Sequence, residues 1–238
     1  MDVFRRRELK FLLNEQQRQA MEQVLSERMI PDHHGMNTIC NIYYDTEDFR
    51  LIRRSLERPV YKEKMRLRSY GQANEDTDIY LELKKKYKGI VYKRRVSVSE
   101  EEATSFMEYR AHLKTDNQIS RELHYFRDFY QTLKPRVYLC YDRHAWYDPN
   151  DRGFRITLDH NIYYRTTDLR LSEAPGGRAL LPADQSLMEV KAEGGIPMWL
   201  TEFLSAHKIH KRSFSKYGTA YEQMLSERLE KQRGKVSC

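Results

Sequence analysis

The sequence predicts an α+β protein in which an antiparallel sheet turns its polar face inward and its apolar face outward, under helices. Two observations lead there. Between Tyr61 and Ser99, three consecutive runs alternate at period 2, the mark of strands, because successive side chains point to opposite faces. In Glu63–Tyr70, Lys64, Arg66, Arg68 and Tyr70 oppose Met65 and Leu67. In Asp78–Lys86, Tyr80, Glu82, Lys84 and Lys86 oppose Ile79, Leu81 and Leu83, and Gly89–Val98 gives a third run. The second observation is that the polar face repeats from strand to strand, mostly as Lys and Arg. A solvated sheet face has no need of one sign, whereas a tunnel holding a polyanion does.

The remaining elements follow in order. Arg5–Phe11 reads as a strand with Arg6, Glu8 and Lys10 on one face and Leu9 and Phe11 on the other. Asn14 is placed to cap a helix running to about Met29. Pro31–Gly35 is a loop, and its adjacent His33 and His34 are read as surface residues rather than metal ligands. Thr38–Asp45 is the next strand, and a short helix over Glu47–Leu56 leads into the three central runs. Ser99-Glu100-Glu101-Glu102 has the form of a capping box and opens a helix to about Leu113. A second helix covers 118–133, with Leu123, Phe126 and Tyr130 as a packing stripe. Strands return at Pro135–Tyr147, Phe154–Tyr164 and Ser186–Ala192, with a Gly- and Pro-containing loop over Glu173–Gln185. Pro197 suits the first turn of a helix to about His207. A last helix spans about Ser215–Leu229, and Lys231–Cys238 reads as a basic, disordered tail. Residues 1–230 are expected to form a single domain.

Composition narrows the classes. The chain has 238 residues, 39% hydrophobic and 12% aromatic, enough for a core, which excludes global disorder. A net charge of +7 points to an anionic partner. Cys40, Cys140 and Cys238 form neither a metal spacing nor a disulfide framework, which favours a reducing compartment. No apolar run approaches the ~20 residues of a membrane helix, and the N-terminus lacks the apolar segment of a signal peptide. A soluble, cytoplasmic protein is expected.

If the strands close a barrel, their polar faces converge. Arg6, Lys10, Lys64, Arg66, Arg68, Lys84, Lys93, Arg95, Arg143, Arg155 and Lys191 would then share one interior with Glu8, Glu82 and Glu189. Unpaired cations in a narrow pore are costly, and a bound polyanion relieves the cost. Arginine offers phosphate a planar fork and lysine a mobile point charge. The glutamates suit either a hard divalent cation that bridges to phosphate oxygens or the positioning of the basic side chains. Phosphoryl transfer fits such a site, since it needs charge neutralisation and in-line positioning more than a protein nucleophile. There is no Walker loop, dinucleotide fingerprint or zinc spacing.

At this point the motifs acquire a resemblance. Arg6-Arg7-Glu8-Leu9-Lys10-Phe11, Ile42-Tyr43-Tyr44-Asp45-Thr46, Arg66-Leu67-Arg68-Ser69-Tyr70-Gly71, Leu81-Glu82-Leu83-Lys84, Met188-Glu189-Val190-Lys191 and Phe214-Ser215-Lys216-Tyr217 resemble, in order, the motifs of the VTC domain. This is the polyphosphate polymerase domain of the vacuolar transporter chaperone complex and its bacterial relatives. The resemblance covers essentially the whole chain. It implies a triphosphate tunnel fold of the CYTH-like superfamily, an eight-stranded antiparallel β-barrel with a basic interior. It further implies transfer of the ATP γ-phosphate to a growing polyphosphate chain, with Mn²⁺ or Mg²⁺. By motif match, Lys10, Arg66, Arg68, Lys84, Arg143 and Arg155 would hold phosphates, with Lys93 as a further family lysine. Lys191, from the same polar faces, joins them as a phosphate ligand. Ser215 and Lys216 would bind phosphate at the tunnel end, where a helix N-terminus favours an anion. Glu189 would bind the metal, with Glu8 and Glu82 as further candidates. Any membrane partner would be a separate chain, and no nucleic acid is expected. One departure stands out: Arg6 replaces the first Glu of the Glu-x-Glu-x-Lys opening common in the wider superfamily, which favours the polymerase branch. Two other readings stay open: a tunnel-fold hydrolase of triphosphate or nucleoside triphosphate, and a non-enzymatic polyphosphate-binding module. A plugged tunnel exit favours hydrolysis, and an open one favours a growing chain.

Overall fold

The computed structural model describes residues 7–33 and 35–236. Arg5, Arg6, His34 and Cys238, which figure in the sequence reading, lie outside that range. In chain order the elements are β1 (Arg7–Asn14), α1 (Glu15–Arg28), β2 (Ile30–Pro31), β3 (Asn37–Asp45), α2 (Arg50–Leu56), β4 (Tyr61–Tyr70), β5 (Ile79–Tyr87), β6 (Ile90–Val98), α3 (Glu100–Glu108), α4 (Gln118–Tyr130), β7 (Lys134–Tyr147), β8 (Arg155–Arg165), β9 (Arg178–Ala179), β10 (Gln185–Ala192), α5 (Met198–Ala206) and α6 (Lys216–Val236). The strands pair in the order β1-β10-β8-β7-β3-β4-β5-β6, with the two-residue β2 and β9 attached to β7 and β8. Each neighbouring pair on that path is antiparallel. The eight long strands foreseen from the periodicity are all present, and the fold is α+β.

The alternation places the apolar face outside. Met65, Leu67, Leu81, Leu83, Val96 and Val98 pack under Ala103 and Phe106 of α3 and Leu123 and Phe126 of α4. Phe11, Leu13, Ile156, Leu158, Met188 and Val190 pack under Met21 and Leu25 of α1 and Leu200 and Phe203 of α5. A third cluster lies on the inner face, at one end of the curled sheet. There Tyr43, Val137, Leu139, Tyr141 and Leu187 meet Phe49 and Ile52 of the α2 region and Tyr217, Ala220, Tyr221 and Met224 of α6. Helix α6 therefore covers part of that end.

Local chemistry sets the element ends. Asn14 and Gln17 form a full capping box at α1. At α3 the box is only half made: Ser99 accepts from the Glu102 amide, but the Glu102 carboxylate turns to the amide of Lys114. Lys88 and Gly89 join β5 to β6 with φ of 46° and 84°, the left-handed pair that a tight hairpin needs. The last helix continues past Leu229 to Val236, where the sequence suggests a disordered tail. The strands β2 and β9 fall in segments that read as loops, and at two residues each they carry no periodic signal. No helix of the described residues is long and apolar enough to cross a membrane.

The sheet curls without a β1–β6 ladder among the described residues. The edge of β1 is instead met by the segment before α6. Phe11 bridges Lys211, and the Arg212 amide donates to the Lys10 carbonyl at 2.8 Å.

Asp45 fixes the covered end. Its Oδ1 accepts from the amides of Thr46 and Leu51, and its Oδ2 accepts from the Ile52 amide and the Tyr217 hydroxyl, the last at 2.9 Å. One carboxylate thus caps α2 and pins α6. Tyr217→Phe removes a bond to a charged acceptor and is expected to cost about 1.5–3 kcal/mol. It should read out as a lower urea midpoint at unchanged slope.

Candidate active site

The inner face carries two charged networks that meet across the tunnel. The first is built on β4, β5 and β6 around Glu82, which is 2% exposed. Strand register sets Arg66 opposite Glu82 and Glu82 opposite Arg95. Arg66 donates through Nε to Glu82 Oε2 at 2.8 Å and through Nη1 to the Tyr43 hydroxyl at 3.1 Å. Lys93 Nζ lies 2.6 Å from the other Glu82 oxygen, and Arg68 Nε donates to Asn41 at 3.0 Å. Burial alone would raise the Glu82 pKa. Arg66, Arg68 and Lys93 outweigh it and hold the carboxyl at about 2.

The second network joins β1, β10, β8 and β7 to the start of α6. Arg143 grips the buried Asp159 with two bonds of 2.6 and 2.7 Å and reaches Glu189 at 3.3 Å. Lys216, buried and near the Tyr141 ring, bonds both Asp159 and Glu189. Lys10 lies 3.4 Å from Glu189 and 3.1 Å from Glu8, and donates to the Phe214 carbonyl. Glu8 reaches across to Lys84 on β5 at 3.8 Å. Burial raises Glu8, but Lys84 and Lys10 bring it down to about 2. Burial likewise acts to raise Asp159 and Glu189, yet their basic neighbours hold both below the usual carboxylate range.

A third group holds cations with few anions to match. Lys64 has no carboxylate partner among the described residues and donates to Ser215 Oγ at 3.0 Å. That same oxygen accepts from the Gly218 amide and caps the start of α6. Burial, then Lys84, Lys62 and Lys10, push the Lys64 pKa down to about 7. Burial and the nearby ammonium groups of Lys86 and Lys84 lower Lys62 as well. Lys84 and Lys86, on the same strand face, are exposed. Burial and Arg143 push Lys191 down to about 8.

The sequence-derived residues are thus distributed unevenly. Lys10, Arg143, Lys216, Glu8, Glu189 and Lys84 share one network, while Arg66, Arg68, Glu82 and Lys93 share the other. Arg155, the register partner of Lys191, pairs with Asp32 at 2.6 Å. Asp159, Tyr141, Tyr43 and Asn41 were not assigned from sequence. The alternation does set Asp159 on the face of Arg155 and Tyr141 on that of Arg143, and this is the signal that marks them.

Among the described residues, no three His, Cys, Asp or Glu side chains converge as metal ligands. Glu8 and Glu189 nevertheless both point at the Lys10 ammonium, a place where positive charge sits between two carboxylates. Across from Glu189 in register, the buried Thr157 hydroxyl has no hydrogen-bond partner among the described residues. Hard oxygen donors of this kind fit Mg²⁺ or Mn²⁺, which take one or two carboxylates and draw their other ligands from phosphate and water. Arg66 and Lys93 ion-pair the two Glu82 oxygens, just as Arg143 and Lys216 ion-pair the two of Glu189.

The lowered Lys64 pKa has a definite sign. Between about 7 and the ordinary value of 10.5 the unfolded chain binds more protons, so ligand-free stability rises with pH there. Lys64→Met is expected to raise the melting temperature at neutral pH and to flatten that rise, as followed by thermal melts from neutral to alkaline pH. An anion in the tunnel restores the charge. Tripolyphosphate binding at mildly alkaline pH should therefore take up protons, seen as a buffer-dependent calorimetric enthalpy that shrinks in Lys64→Met.

Two solved structures share the fold. A candidate adenylate cyclase from Bacillus halodurans aligns with a TM-score of 0.54 at 16% identity, over 87% of this chain and 92% of the other. A candidate adenylyl cyclase from Hippeastrum, described as having a dominant triphosphatase activity, aligns with a TM-score of 0.54 at 14% identity, over 91% and 95%. At these identities the likeness is one of fold. No curated protein matches the chain in sequence. Residues 5–225 match the VTC domain, and the chain belongs to the VTC domain family.

Proposed function

We propose that this chain is a polyphosphate polymerase that transfers the γ-phosphate of ATP to a polyphosphate chain. The observation that carries this reading is the run of lysines beyond the arginine networks. Lys64, Lys62, Lys84 and Lys86 extend the cationic lining to exposed positions beside α6, and burial, then their lysine neighbours, lower the pKa values of Lys62 and Lys64. A triphosphate alone would leave those charges unmatched, whereas a chain that grows past the reaction centre neutralises them.

The roles follow from position. Arg66, Arg68 and Arg143 present guanidinium forks to nonbridging phosphate oxygens. Glu82 and Asp159 hold those forks in fixed directions. Lys10 and Lys216 lie near the reaction centre, next to the N-terminus of α6, where developing negative charge is stabilised. A terminal phosphate oxygen of the chain attacks Pγ in line, the β–γ bridging P–O bond breaks, and ADP leaves with the electron pair. Glu189 and Glu8 would hold the divalent cation, which neutralises phosphate charge when bound.

Hydrolysis remains the competing reading, favoured by the partial cover that α6 gives to the tunnel end. Incubation with ATP and Mn²⁺, followed by sizing of the products on a gel, separates the two. Chains longer than triphosphate, absent with Glu189→Ala, are expected. Paired Lys84→Met and Lys86→Met substitutions should shorten the chains more than they slow ATP consumption. Orthophosphate as the sole product would assign the hydrolase, and salt-sensitive polyphosphate binding without turnover would assign a binding module.

A further inference from the structure

At the tunnel mouth opposite α6, the polar faces of β4, β5 and β6 end in side chains that the phosphate chemistry does not use. Tyr70 follows Arg68 by two residues on the same strand face, about 7 Å along the strand. Tyr80 is the register partner of Arg68, and Arg95 is the register partner of Glu82. The two tyrosine rings meet edge to face, with centroids 6.0 Å apart and planes at 78°. The Arg95 guanidinium sits over the Tyr80 ring, 4.8 Å from its centre. Tyr70 is 46% exposed, and Arg95 is exposed and makes no ion pair among the described residues.

A cross-strand aromatic pair often does no more than steady a sheet. Here the pair faces the tunnel, and the exposure of Tyr70 means that it buries little. Flat π faces joined to an unpaired guanidinium are the surfaces on which nucleobases stack, whatever the base. Arg68 is the register partner of Tyr80, and Arg66 pairs with Glu82, the register partner of Arg95.

We propose that Tyr70, Tyr80 and Arg95 form a platform for the nucleobase of a nucleoside triphosphate whose phosphates point inward along Arg68 and Arg66. This rests on reading the tunnel as a phosphate site. The nucleotide enters base-last at this mouth, and its γ-phosphate leads towards Lys10, Lys216 and the start of α6. Stacking lets a nucleotide be held more tightly than an inorganic chain of equal charge. Because a π face is common to all bases, the preference is for nucleotides over inorganic phosphates, with weak choice among bases.

The test compares β,γ-imido-ATP with inorganic tripolyphosphate by calorimetry on the full chain. Tyr80→Ala and Tyr70→Ala are expected to weaken the imido-ATP complex about tenfold each, the size of one lost stacking contact, and to leave tripolyphosphate within about twofold. Tyr80→Phe keeps both affinities, and Arg95→Ala follows the alanine variants. The exposed Tyr70 serves as the second variant if Tyr80→Ala fails to fold. Equal losses for both ligands would assign the rings a purely structural role and overturn the platform. No change for either ligand, with tripolyphosphate binding intact, would also overturn it and leave the phosphate site standing. Failure of the unaltered protein to bind tripolyphosphate would overturn the phosphate site and the platform together.

Discussion

Like-charge crowding in a confined space governs this molecule. Cations pointed into a curled sheet repel one another and lose water, and both costs grow as the space narrows. Glu82, Asp159 and Glu189 answer them. Each is nearly or fully buried, and each sits among two or more basic groups. The carboxylates hold the guanidinium forks in fixed directions. Removing one would leave buried positive charge unmatched, a more damaging event than losing an exposed ion pair. Where carboxylates run out, at Lys64 and Lys62, the protein carries the repulsion unrelieved. Buried cations without matched carboxylates of this kind are relieved by a nearby anion.

Helix α6 ties that electrostatic problem to the packing. Its first residues supply Lys216 to the acidic pair, Ser215 to Lys64 and the Phe214 carbonyl to Lys10. One turn later Tyr217 stacks on Tyr43 and bonds Asp45. The segment that closes the sheet end is therefore the segment that orders the deepest cations.

Much of this was legible from period 2 alone. Arg66, Arg68, Glu82 and Lys93 fall on one face by alternation, and antiparallel pairing of adjacent strands joined by short connections makes their meeting almost inevitable. What alternation does not carry is contact between distant strands. Asp159 meets Lys216 across 57 positions, and Arg155 is drawn to Asp32 across 123. Face assignment was correct in both cases, and the partner was not inferable. Glu102 shows the same limit at short range: its spacing from Ser99 is that of a capping box, yet the loop after α3 offers the Lys114 amide, and the carboxylate goes there. The inner apolar cluster was hidden for a related reason. Val137, Leu139 and Tyr141 share the face of Arg143, so a face that reads as polar at one end is greasy at the other.

The missing ladder between the first and last strands of the path changes what kind of container this is. A barrel joined all round by backbone hydrogen bonds is a hoop of fixed girth. Here the described residues of β1 and β6 share no such bonds, and the span between the two halves is crossed by the Glu8–Lys84 contact. A partly exposed pair of this kind contributes on the order of 1 kcal/mol or less. The girth is therefore set by side-chain contacts and by the Lys211–Arg212 segment on the open edge of β1, not by a closed ring of strand hydrogen bonds.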